Sequence, residues 1–157
     1  MAVTAGDPAP PFSLPGVMDG VRRQYSLAEL AGRPVVLITY PGDDTPVCTR
    51  QLNAYTSDID RFLGLEAQLL AASPEDLDSH QGFADHQGGF AFPLLADVDK
   101  TLARDYGVLG PMGFYRRCVF VIDGCGILSH VHRGYAGATF RRTPELLHAV
   151  EQALART

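Results

Sequence analysis

Apolar and β-branched residues first gather in RPVVLITYP, a run closed by proline that predicts a buried strand over about 35–40. Thr45-Pro46 follows, an N-cap hydroxyl with proline at the first helical position, and the helical pattern continues to about Leu65. AQLLAAS predicts a second buried strand. It ends at Ser73-Pro74-Glu75, where the same signal predicts a helix to about His86, stopped by Gly88-Gly89. FPLLAD predicts a short strand, and KTLARDYG a short helix capped by Gly107. RRCVFVID and ILSHVHRG, joined by an Asp-Gly turn, predict a hairpin. TPELLHAVEQALA closes the pattern as an amphipathic helix with apolar residues at 146, 147, 150 and 154. Residues 8–15 are proline-rich and carry no predicted element.

Strands separated by helices imply parallel pairs, and the late hairpin adds antiparallel strands. The expected fold is therefore α/β, a mixed sheet with helices on both faces, which is the layout of a thioredoxin-like domain. At 157 residues, one domain spanning 1–157 is expected. With 46% hydrophobic and 20% charged residues, the composition is that of a soluble globular protein. The net charge of −5 argues against a nucleic-acid or anionic-membrane surface. The N-terminus has neither a basic start nor an apolar run, so a cytoplasmic protein without signal peptide or membrane span is expected.

Three widely spaced cysteines form neither a disulfide framework nor a zinc pattern. In a reducing compartment such thiols are core filler or reactive. Thr45-Pro46, Ser73-Pro74 and Thr143-Pro144 all read as helix starts, but only the first has a cysteine, Cys48, in the first turn. There the free backbone N–H groups and the helix dipole favour an anion, and a thiolate is one. A reactive thiol at that place also calls for access to solvent.

YPGDDTPVCT fits Pro-x-x-x-Thr-x-x-Cys, and Arg-x-x-Phe-x-x-Asp follows in RRCVFVID. With GDPAPPFSLPG and FPLLADVDKTLARDYGV, these motifs resemble the peroxiredoxins over nearly the whole chain, with the PrxQ or bacterioferritin comigratory protein subgroup the nearest match. The resemblance implies that Cys48 is the peroxidatic cysteine and that Thr45 gives its hydroxyl to the bound peroxide. It implies further that Pro41 shields the thiolate and that Arg117 supplies positive charge. Gln51 matches a position that orients the arginine. Arg116 competes with Arg117, whose spacing fits better. No cofactor or metal is implied. The partners implied are a hydroperoxide and a thiol reductant such as thioredoxin, glutaredoxin or a low-molecular-weight thiol, acting on a monomer or homodimer.

Many members of that subgroup carry a resolving cysteine five residues after the first, where this chain has Asn53; residues 75–89, another such site, hold none. A one-cysteine peroxidase recycled by an external thiol is expected. Cys118, adjacent to Arg117 on a strand, faces the opposite side of the sheet. Cys125, in the Asp-Gly turn, is the remaining candidate for a resolving residue. A redox sensor or thiol-disulfide exchange module using Cys48 without turnover is the alternative. His130 and His132 share a strand face and suggest a metal less readily than an exposed polar edge. Asp43 and Asp44 read as solvating the approach to the helix. LGPMGFY, ahead of Arg117, either borders the site or a partner, or packs on its own domain.

Overall fold

The computed structural model describes residues 2–134 and 139–155. Seven strands form one sheet: β1 (Ser13–Met18), β2 (Val21–Ser26), β3 (Val35–Thr39), β4 (Gln68–Ser73), β5 (Leu94–Ala96), β6 (Cys118–Ile122) and β7 (Leu128–Arg133). Their order is β2-β1-β5-β4-β3-β6-β7. β3 pairs in parallel with β4 and β4 with β5, while β6 runs antiparallel to β3. The helices are α1 (Pro46–Ser57), α2 (Ile59–Leu63), α3 (Leu77–His86), α4 (Thr101–Tyr106) and α5 (Thr143–Ala155).

Strand alternation divides the core into two layers. Val36, Ile38, Leu69, Ala71, Val119 and Val121 face a layer filled by α1, α2, α3 and α5. Val35, Leu37, Leu70, Ala72, Phe120 and Ile122 face the other, closed by α4 and the turn at Leu30. The expected helices on both faces are present.

Several local expectations are corrected. The proline-rich opening leads into a hairpin of β1 and β2, turned at Asp19 and Gly20, both with positive φ. Four of the six β2 residues are exposed, VRRQ, so this edge strand lacked an apolar signal. The helix expected from Thr45 to Leu65 is broken at Asp58 into α1 and α2. Ser73 ends β4, and α3 begins at Leu77 behind Asp76, whose carboxylate accepts from the Ser79 N–H at 2.9 Å. Asp76 supplied a better-placed acceptor than Ser73, and the Ser-Pro pair only turns the chain. Thr143 is the first residue of α5 rather than a residue ahead of it. On that helix Ala149 and Ala153 join the buried face, whereas Leu154 is partly exposed. Gly107 ends α4 with φ +68°, as its capping role requires.

Candidate active site

Helix periodicity places Cys48, Gln51, Leu52 and Tyr55 on the buried face of α1. Thr45 precedes the helix in an extended conformation, so Cys48 is its third residue. The antiparallel register sets Thr39, at the end of β3, opposite Cys118, at the start of β6. The residue just before β6 therefore lies beside the loop from β3 to α1. That residue is Arg117, and its Nη1 donates to Cys48 Sγ at 3.3 Å and to Gln51 Oε1 at 2.6 Å. Gln51 in turn donates to the Tyr55 hydroxyl at 3.3 Å, and Tyr55 donates to the Arg141 carbonyl. Burial above all pushes the Tyr55 hydroxyl up to about 12, so it stays protonated and able to donate.

Arg116, the competing arginine, turns away. Its Nε and Nη2 donate to the carbonyls of Gly134 and Arg133 at 3.0 and 3.1 Å. Thr45 is exposed, and its hydroxyl donates to the Gly42 carbonyl at 3.0 Å rather than capping the helix. Pro41 is half-buried at the opening of the same loop. The expected solvent access of Cys48 is not met: the residue has no exposed surface. Its third position on α1 turns it inward with Leu52 and Tyr55, one helical turn from the loop that stays exposed.

Sequence reasoning missed a buried polar cluster beside the site. Asp43 does not solvate the helix approach; its side chain is 2% exposed. Its carboxylate accepts from the Tyr40 and Ser79 hydroxyls and is hydrogen-bonded to His80 Nδ1, each at 2.7 Å. His80 Nε2 meets the Leu95 carbonyl at 2.8 Å. Both ring nitrogens thus lie against oxygen atoms, Asp43 on one side and the Leu95 carbonyl on the other. Burial, and then Asp43, raise the Tyr40 hydroxyl well above its ordinary value. The cluster ties α3 to the loop that carries Thr45. The available signal was a histidine one turn before Phe83 on the buried face of α3. Asp44 behaves as expected, exposed and paired with His86.

Cys118 lies in the other core layer. Burial pushes its thiol up, and the Thr39 hydroxyl, Arg116, Arg133 and the Gly134 backbone offset part of this. Cys125 is exposed in the turn between β6 and β7. A maleimide should therefore label Cys125 first and leave Cys48 and Cys118 protected in the folded, reduced protein. Peptide mapping after brief labelling checks this, and early modification of Cys48 would contradict the enclosure.

His130 and His132 lie on the edge strand β7, and no group of three metal-ligating side chains gathers among the described residues. Burial above all, and then Arg141, lower both histidines. The unfolded chain therefore binds more protons than the folded one as pH falls through about 6.5, so this pair destabilises the fold on acidification. His86, raised by Asp44, acts in the opposite sense from an exposed pair. Melting temperatures between pH 5 and 8 should fall less steeply on the acid side in a His130→Gln, His132→Gln double variant.

Part of LGPMGFY packs on its own domain. Tyr115 is buried and donates to Asp97, while Met112 and Phe114 stand in solvent, 91% and 65% exposed.

The sequence pattern of the AhpC/TSA family matches residues 5–131. Peroxiredoxin-2 of Macaca fascicularis is 35% identical over 133 residues, 80% of this chain and 67% of that protein. Thioredoxin peroxidase of Echinococcus granulosus is 34% identical over 138 residues, 83% and 72% of the two chains. The reduced 2-Cys peroxiredoxin of Plasmodium vivax superposes with a TM-score of 0.89 at 27% identity, covering 97% of each chain. Sequence, fold and the arginine-bound cysteine at a helix start agree: the chain belongs to the AhpC/TSA family, the peroxiredoxins, and is a thiol-dependent peroxidase.

Proposed function

We propose that Cys48 is the peroxidatic residue of a one-cysteine enzyme that reduces hydrogen peroxide and small organic hydroperoxides. The observation that carries this is the contact of Arg117 with Cys48 Sγ, made from a guanidinium that Gln51 holds in place. The Cys48 thiolate attacks the terminal oxygen of the hydroperoxide. An S–O bond forms as the O–O bond breaks, and the departing alkoxide or hydroxide takes up a proton to leave Cys48 as a sulfenic acid. Charge moves from sulfur to the leaving oxygen, so a fixed cation beside both atoms stabilises the transition state. The backbone N–H groups of the first turn supply further donors, Thr45 joins them when its hydroxyl turns from the Gly42 carbonyl to the peroxide, and Pro41 limits water at the same loop.

External reduction is supported by the positions of the other cysteines. Cys118 lies across the sheet from Cys48. Cys125 follows β6 at the end opposite Arg117, where Ile122 pairs with Val35. At about 3.3 Å per residue, roughly 13 Å of strand lies between those ends. A disulfide needs Cα atoms within about 7 Å. Asn53, at the resolving position of PrxQ relatives, instead donates to Gln87 at 2.9 Å, bridging α1 and α3. The PrxQ resemblance rests on the motifs alone, since the relatives reported above are named peroxiredoxin-2, thioredoxin peroxidase and 2-Cys peroxiredoxin. The reductant in this reading is thioredoxin, glutaredoxin or a small thiol, and the enzyme works in the cytoplasm as a monomer or homodimer.

One equivalent of hydrogen peroxide added to fully reduced protein, followed by trapping, intact mass and peptide mapping, tests the reading. A single oxygen gained on Cys48 is expected. A Cys48 link to Cys118 or Cys125 would replace the one-cysteine scheme, and an unchanged Cys48 would end the peroxidase assignment to that residue.

A further inference from the structure

Arg117 also borders a cavity of about 440 Å³, whose lining includes Gln51, Val119, His132, Phe140 and Arg141. Arg117 is 5% exposed, and its Nε is enclosed without a hydrogen-bond partner. Among the described residues no carboxylate lies within ion-pair distance of this guanidinium. Gln51 offers only a neutral amide, so in the peroxidase reading above the Cys48 thiolate is the group that balances Arg117. Oxidation to the neutral sulfenic acid removes that balance and leaves a buried cation, an expensive state.

Arg141 adds a second charge at the cavity. Its Nη2 donates to His132 Nδ1 at 3.0 Å and its Nη1 to Glu145 at 3.0 Å, in a half-exposed pair that screens it only in part. A neutral His132 accepting on Nδ1 carries its proton on Nε2 and so adds a donor. Burial above all, and then Arg141, His130 and Arg116, lower His132, while Glu145 acts against them. Val119 and Phe140 give the cavity an apolar wall that suits a short carbon chain.

We propose that this cavity binds a carboxylate, carried by the small thiol that reduces oxidised Cys48. This rests on the one-cysteine peroxidase reading above. Arg117 and Arg141 clamp the carboxylate while the thiol attacks the Cys48 sulfenic acid. The S–O bond breaks as an S–S bond forms, and the released hydroxide takes the thiol proton to leave as water. A second thiol then splits the mixed disulfide, restoring the Cys48 thiol and releasing the oxidised thiol dimer. The affinity is state-dependent: the reduced enzyme fills its own counter-ion position, whereas the oxidised one opens it to the carboxylate.

The experiment is single-turnover reduction of peroxide-oxidised enzyme by 3-mercaptopropionate and by 3-mercaptopropionamide, with rates compared per thiolate. The acid should react about tenfold faster, the scale of one hydrogen bond to a charged group. Arg141→Gln should bring the ratio to within about twofold, and Glu145→Gln, which frees Arg141, should widen it. Propionate, which has no thiol, should slow the acid and spare the amide. Equal rates for acid and amide in the parent enzyme overturn the proposal. A second arm measures oxidation by linoleic acid hydroperoxide and by its methyl ester. An acid preference there that depends on Arg141, with none during reduction, overturns the assignment to the reductant and gives the carboxylate to the peroxide. If Cys48 is not oxidised in the first step, the peroxidase reading fails instead, and the two failures are distinct.

Discussion

Replacing Arg117 by alanine should lower the second-order rate of Cys48 oxidation by hydrogen peroxide about 10²- to 10³-fold, the cost of losing one preorganised donor to developing charge. Ionisation alone cannot account for that loss. A free thiol is a few per cent thiolate at pH 7, so complete ionisation gains at most about 30-fold, roughly 2 kcal/mol. Part of that gain is lost because nucleophilicity falls with thiol basicity. In the proposed mechanism the larger part comes from Arg117, held 3.3 Å from Sγ and 2.6 Å from Gln51. The fold should survive the change. Among the described residues no carboxylate pairs with the guanidinium, so its removal orphans no buried carboxylate. Stopped-flow rates divided by the thiolate fraction, read from ultraviolet absorbance, provide the check. A deficit that disappears after this division would confine Arg117 to ionising the thiol. Arg117→Lys should recover part of the rate, since it restores the charge without the planar fork.

Asp43→Ala should destabilise the protein by about 3–5 kcal/mol, the cost of breaking one side of a buried pair. Against a typical total of about 5–15 kcal/mol, this is a large share. The carboxylate holds Tyr40, Ser79 and His80 together at 2.7 Å, and its loss leaves a fully buried imidazole and a buried phenol without their acceptor. Asp44→Ala, one residue later, removes an exposed contact with His86 and should leave the unfolding midpoint where it was. Urea unfolding of the two variants side by side gives the comparison. Equal midpoints would mean that the Asp43 cluster is dispensable for the fold. Oxidation of Cys48 should also slow in Asp43→Ala but not in Asp44→Ala, because Asp43 anchors the loop that carries Thr45.

These adjacent aspartates show where local sequence stops being informative. Both stand in one polar stretch, and neither has a neighbour in sequence that distinguishes it. Asp43 turns inward because α3 brings Ser79 and His80 to it from 36 and 37 residues away. Cys48 is a similar case. The Thr-Pro signal and helical spacing located its position on α1 and its common face with Gln51, but its enclosure comes from Leu52, Tyr55 and the sheet packed around them. Strand β2 escaped notice for the opposite reason: an edge strand with four exposed residues has no apolar alternation to read.

By itself the sequence determined the α/β order, the buried strands β3, β4 and β6, the helix start before Cys48, and the candidate pair Cys48 and Arg117. The elements and the helix start follow from apolar periodicity and from proline and glycine chemistry, which act over a few residues, whereas the pair Cys48 and Arg117 rested on the resemblance to the peroxiredoxins. Tertiary structure brought Arg117, rather than its neighbour Arg116, to the thiol. It also created the buried Asp43–His80 cluster and the cationic cavity beside Arg117. The physical reason is the antiparallel pairing of β3 with β6, which joins residues some 69 positions apart at one end of the sheet. Pairing over that distance is set by the register and packing of the whole sheet, and no local pattern encodes it.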